Sequence, residues 1–220
     1  MIVVHHLNDS RSQRILWLLE ELGLPYDIVH YQRDPKTKLA PPELLAIHPL
    51  GKAPVVDDDG LILAETGAMI EILLERHGGG RLSPPRGSDD WLDYIYWLHF
   101  AEGSAMPMSV MKLIFQVMPG RVPFLMRPVA KLIAQSAQSQ LIDPALARQK
   151  AFMEASLQES GWFAGDAFTA ADVIMSFPVE TMAARGGLGD APALQAWLQT
   201  IHARPAYQAA LERGGPYAFA

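Results

Sequence analysis

"HPLGKAPVVDDDGLILAET", residues 48–66, holds two short apolar runs on either side of Asp-Asp-Asp-Gly. Val55-Val56 and Leu61 to Ala64 read as two strands. The Asp-Gly pair supplies the positive φ of the tight turn between them. Pro54 stands at the head of the first strand, where it donates no ladder hydrogen bond. Glu65 and Thr66 close the second strand, and a helical pattern follows at once.

Upstream, "IVVHHL" (2–7) reads as a buried strand. In "RSQRILWLLEELG", Ile15, Leu18, Leu19 and Leu22 recur at helical spacing, and Gly23 stops the pattern. Ser10 is its natural N-cap. "YDIVHY" (26–31) is a second strand, so the segment forms a β-α-β unit with parallel strands and a right-handed crossover. Residues 42–47 admit at most a short helix. After the hairpin, "TGAMIEILLERHGGG" gives a helix ended by glycines. The order over residues 1–80 is β-α-β-α-β-β-α.

"RLSPPRGSDD" (81–90) is a Pro/Gly/Ser/Asp linker that separates this α/β unit from an all-helical domain, residues 88–220. Trp91 to Phe115 reads as one long helix. Pro119, Pro123 and Pro128 break the next stretch, and 129–159 forms a helix or a pair. In "FTAADV", Thr169 and Asp172 stand at capping-box spacing with Phe168 and Val173 as the hydrophobic staple.

Half of the 220 residues are hydrophobic and the net charge is −6. Such a chain lacks the clustered cations that nucleic acid demands. Its apolar stretches are broken before they reach the length of a membrane span. The N-terminus has no basic lead or long apolar core. The expectation is a cytoplasmic protein with neither nucleic acid nor membrane as partner. Cysteine is absent, which excludes disulfides, thiolate metal sites and cysteine nucleophiles. His5 and His6 are adjacent on a strand and point to opposite faces, so no metal is expected there.

Gly51-Lys52 fails as a phosphate loop, because Ala46 and Ala53 replace the required glycine and hydroxyl. Glu65-Thr66 is more informative. Thr66 offers a hydroxyl and N–H groups at a helix start, which suits an anion. Glu65 suits an ammonium group. Together they fit an α-amino acid head. A cis bond at Ala53-Pro54 would turn the Ala53 backbone outward, where it could pair with a peptide-like ligand. Ser10, at the start of the first helix, could stabilise a thiolate.

The stretches "NDSRSQRILWLLEELGLPY" (8–26), "HPLGKAPVV" (48–56) and "ILAETGAMIEILLE" (62–75) resemble the thioredoxin-like domain of the cytosolic glutathione transferases. "FAGDAFTAADV" (163–173) resembles their helical domain, and "WLHFAEGSAMP" (97–107) resembles the long helix of a serine-type bacterial and fungal subgroup. The resemblance implies an enzyme that conjugates glutathione, its co-substrate, to small hydrophobic electrophiles or reduces organic hydroperoxides with it. The alternative is a non-enzymatic ligand-binding or assembly module of the same fold. It further implies that Pro54 is a cis-proline and Ala53 meets the cysteinyl backbone. Glu65 and Thr66 then hold the γ-glutamyl head, and Lys52 or Lys38 takes the glycyl carboxylate. Ser10 contacts the sulfur, with Asn8 and Ser12 as alternatives. Leu7, His99, Met106 and Met111 belong to the electrophile pocket, and residues 106–126 hold five of the ten methionines. The resemblance also implies a homodimer, with Glu102 placed toward the second copy's glutathione.

Overall fold

The computed structural model describes residues 1–219. Ile2–Leu7 (β1) and Tyr26–Tyr31 (β2) are rich in β-branched and aromatic side chains and pair in parallel, Ile2 opposite Tyr26. Ser12–Glu21 (α1) makes the crossover. Val55–Asp58 (β3) runs antiparallel to β1, and Leu61–Ala64 (β4) runs antiparallel to β3, giving the order β2-β1-β3-β4. Asp59 and Gly60 both have positive φ, 53° and 88°. That is the two-residue turn whose twist matches the strands. The Asp57 carboxylate accepts the Gly60 N–H at 2.6 Å and fixes it. Leu44–Ile47 (α2) precedes β3, and Thr66–Leu73 (α3) follows β4. The expected β-α-β-α-β-β-α order is therefore present.

The remainder is helical: Asp89–Phe100 (α4), Met106–Arg121 (α5), Arg127–Ala137 (α6), Asp143–Ser160 (α7), Ala170–Ala183 (α8), Pro192–His202 (α9) and Pro205–Gly214 (α10). The single helix expected over Trp91 to Phe115 is two helices joined by a π turn at Ala101–Ala105. The second helix also runs past Phe115 to Arg121. Pro119 does not stop it, because Pro119 lies in the last turn. Pro107 stands just past the π turn, and its ring removes one N–H from the ladder at the junction of the two helices. The capping box is formed: Thr169 Oγ1 accepts the Ala171 N–H at 3.2 Å, and Asp172 Oδ2 accepts the Thr169 N–H at 2.9 Å.

Helix α1 belongs to both halves. Every residue from Ser12 to Leu19 is buried, and the helix packs on β1 and α3 on one side and on α8 and α10 on the other. Trp17 meets Tyr207 edge-on at 5.1 Å and Phe168 at 5.5 Å. The sheet and the helical half therefore share one continuous core.

Candidate active site

The site begins at the ends of β1 and α1. Ser12 is the first residue of α1 and Arg11 holds the cap position, so Ser10, the expected N-cap, lies one residue before the cap. It still serves the helix end, because its Oγ accepts the free Ser12 N–H at 3.2 Å. The two serine hydroxyls are 2.6 Å apart, and Ser12 Oγ reaches His6 Nδ1 at 2.8 Å. Burial, with His30 facing it, pushes the His6 pKa down to about 4, so the ring is neutral at neutral pH. Asn8 is committed elsewhere: its side-chain carbonyl accepts the Arg33 N–H at 2.8 Å and its amide donates to Asp9.

One turn past Ser10, Arg14 is a buried cation. It donates to the Ile174 carbonyl at 2.7 Å, to Glu102 Oε1 at 2.6 Å and to Thr66 Oγ1 at 3.4 Å. Glu102 also accepts from Arg11 at 2.8 Å. Burial alone would raise the Glu102 pKa, but Arg14 and Arg11 outweigh it and hold the carboxyl below its ordinary value. Glu102 is thus held by two arginines of its own chain.

The hairpin brings the other end of the site. The Ala53-Pro54 peptide bond is cis. Among the described residues, the Ala53 N–H and C=O have no hydrogen-bond partner. Glu65 has φ of 68°, a left-handed value that strains a non-glycine residue. Its exposed carboxylate makes no ion pair or hydrogen bond with the described residues, while Thr66 beside it is buried at the head of α3. Glu65, Thr66, Ala53, Pro54, Lys52 and Arg11 line one small cavity of about 90 Å³.

That cavity opens into a cleft of about 830 Å³, with Arg11, Lys52 and Ala53 on the boundary. Ser10, Leu7, Lys38 and Arg33 line its floor side; Met106, Val110, Leu113 and Phe177 line the helical side. The chain end closes it. The Ala218 N–H donates to Asp9 at 2.9 Å, Tyr217 donates to Glu180 at 2.6 Å, and Phe219 packs on Phe177 at 5.4 Å and lines the cleft. Among the described residues no group of three or more His, Asp or Glu could hold a metal ion.

The family model of the glutathione S-transferase N-terminal domain matches residues 10–76, and that of the C-terminal domain matches 117–205. Glutathione S-transferase 3 of Schizosaccharomyces pombe is 33% identical over 215 residues, covering 97% of this chain and 88% of its own. The chain belongs to the glutathione S-transferase family. Glutathione S-transferase 1 of Saccharomyces cerevisiae is likewise 33% identical, covering 97% of this transferase and 95% of its own length. The crystal structure of a glutathione S-transferase from Actinobacillus pleuropneumoniae superimposes with a TM-score of 0.80 at 34% identity, over 99% of this chain and 94% of that one. The protein is a glutathione transferase enzyme with a thioredoxin-like domain followed by a helical one.

Of the residues singled out in the sequence, Ser10, Lys38, Lys52, Ala53, Pro54, Glu65 and Thr66 converge on the cleft and its side cavity in the transferase. Leu7 and Met106 line the cleft. Met111 instead lines a shallow hollow beside it, with Arg11 and Glu102. His99 is exposed on α4 and lines neither. Ser12 is fully buried behind Ser10 and does not line the cleft. Sequence reasoning missed Arg11, Arg33, Phe177, Arg185 and Phe219. Only the aromatic run "PYAFA" signalled that the chain end has something to pack against.

Proposed function

We propose that this transferase is of the serine type and joins glutathione to small electrophiles with an apolar body. The observation that carries the reading is the side cavity. It sets an unpaired carboxylate, a helix N-terminus, a cation and an unpaired backbone strand segment around a space continuous with a cleft that Ser10 lines. Glu65 takes the ammonium of the γ-glutamyl group and Thr66, with the N–H groups that open α3, its carboxylate. Ala53 pairs with the cysteinyl backbone as an added strand would. Lys52, or Lys38 across the cleft, takes the glycyl carboxylate. The sulfur then lies toward Ser10, whose hydroxyl stabilises the thiolate while the start of α1 adds positive potential. Burial of Ser12 and the prior engagement of Asn8 favour Ser10 over both.

Arg185 donates to the Ser109 carbonyl at 3.3 Å and lines the cleft without a carboxylate partner among the described residues. Electrophiles that carry hydrogen-bond-accepting oxygens, nitro or hydroperoxide, on an apolar body therefore suit this wall best. Residues 1–80 and 88–220 are taken as the two domains. Leu92, Tyr96 and Phe152 form an exposed apolar face, with Tyr96 and Phe152 rings 5.7 Å apart, that supports a homodimer.

The test is calorimetric titration with glutathione, then turnover of 1-chloro-2,4-dinitrobenzene and cumene hydroperoxide. Glu65→Ala leaves the ligand ammonium unpaired, which costs about 1.5–3 kcal/mol, roughly 10- to 150-fold in affinity. Unchanged affinity in that variant overturns the assignment of the side cavity.

A further inference from the structure

The segment from Gly103 to Ile142 carries Lys112, Arg121, Arg127 and Lys131 and no acidic residue, in a chain whose net charge is −6. It forms α5, a 3₁₀ turn at Phe124–Met126, and α6. Lys112 is paired with Asp143, whereas Arg121, Arg127 and Lys131 are exposed and have no carboxylate partner among the described residues. Arg127 lies over the Phe124 ring at 6.0 Å.

The same tip leaves its apolar side chains uncovered. Helix α6 buries Ala130 and Ala134 and turns Val129, Leu132 and Ile133, at i, i+3 and i+4, away from them into solvent. At the turn, Phe124 is 76% exposed and Leu125 87%. Contiguous exposed apolar surface on this scale marks an interaction site. Phe124, Leu125 and Met126 stand consecutively and exposed at the turn between two helices, an arrangement that suits insertion into a layer.

We propose that the α5–α6 tip docks on an anionic lipid surface, Phe124, Leu125 and Met126 entering the headgroup layer and the three free cations facing lipid phosphates. The pattern of an amphipathic helix with apolar residues on one face and Lys and Arg beside them suits that layer. A second copy is the poorer occupant. A two-fold contact through this tip would set Arg121, Arg127 and Lys131 against their own counterparts, and the apolar face around Tyr96 lies elsewhere. The docking is peripheral, since no helix of the described residues is long and apolar enough to cross a membrane. Val110 and Leu113 of α5 line the cleft. Docking therefore puts the cleft on the helix that meets the lipid, within reach of electrophiles dissolved there.

The experiment is co-sedimentation of the full-length protein with vesicles of phosphatidylcholine alone or with roughly one-third phosphatidylserine. The protein is expected to pellet with the anionic vesicles, to stay in solution with the neutral ones, and to be released as salt rises. Phe124→Ser with Leu125→Ser, and separately Arg127→Glu with Lys131→Glu, should each lower vesicle binding about tenfold or more. Neither pair touches the cleft, so turnover of 1-chloro-2,4-dinitrobenzene in solution should be unchanged. The proposal is overturned by absence of binding to anionic vesicles, or by binding that survives both double substitutions. It is equally overturned if the serine pair halves the mass in light scattering, which would make the tip a subunit contact.

Discussion

Replacing Glu102 by alanine should expose how much the transferase relies on its buried cation. Arg14 is 1% exposed and its strongest partner is Glu102, at 2.6 Å; the remaining bonds are to the Ile174 carbonyl at 2.7 Å and to Thr66 at 3.4 Å. Removing one partner of a buried ion pair costs about 3–5 kcal/mol, because the other charge stays desolvated. Glu102 is 26% exposed, so water can replace part of what it supplied, and the lower figure of about 3 kcal/mol applies. For a chain of this size that is a drop in Tm of about 6–12 °C. Arg11→Ala removes only the more exposed partner, and should cost no more than about 1 kcal/mol. Linkage adds a sign. The Glu102 pKa is held below its ordinary 4.5, so its contribution is complete above that value and is lost as pH falls through the lowered pKa. Calorimetric melts of wild type and Glu102→Ala should therefore differ fully at neutral pH and converge in acid, as pH falls through the lowered pKa. A Tm within about 2 °C of wild type at neutral pH, or a gap undiminished in acid, refutes the reasoning.

Ser10→Ala should lower turnover about 10- to 100-fold and raise the pH midpoint of the rate, with glutathione affinity in calorimetry nearly intact; full activity in that variant and its loss in Ser12→Ala would move the role to Ser12. Asp172→Ala should strand the Phe163, Thr169 and Trp197 N–H donors, now at 2.9–3.1 Å, and cost about 3 kcal/mol or more in urea unfolding. Burial pushes the Asp172 pKa up to about 6, above its ordinary 3.8, so the stability linked to its proton is complete below 3.8 and declines as pH rises through about 6; urea midpoints of Asp172→Asn across that range should lack this slope. Light scattering at micromolar concentration should give the mass of a dimer, and Tyr96→Glu should lower it to that of one chain.

The parts of the molecule legible in the sequence were those whose cause is local. Asp59-Gly60 announces a hairpin because few other pairs adopt two successive positive φ values, and Thr169 with Asp172 announces a helix start because three residues separate the reciprocal acceptors. The π turn at Ala101–Ala105 was not legible, since one added residue leaves an apolar stretch looking like an unbroken helix. Pro119 misled for a related reason: its penalty belongs to helix interiors, and only the position of Arg121 as the last residue shows that it lies in the final turn. Of the five methionines in the window 106–126, Met106 lines the cleft, beside Val110 and Leu113 of the same window and Phe177 of α8. Long-range pairs carry no local signal at all. Arg14 finds Glu102 across 88 positions, and the Ala218 N–H finds Asp9 across 209.

The position of α1 between the two halves has a consequence for modularity. Its buried face holds a guanidinium whose acceptors, the Ile174 carbonyl and Glu102, come from the helical half, and a Trp17 enclosed by Tyr207 and Phe168. The thioredoxin-like portion is therefore not an exchangeable cassette. A recombinant that grafts it onto another helical domain must import a carboxylate at the place of Glu102, a free carbonyl at that of Ile174 and an aromatic box for Trp17. Without these, breakpoints in the 81–88 linker, where the chain looks easiest to cut, should give insoluble hybrids.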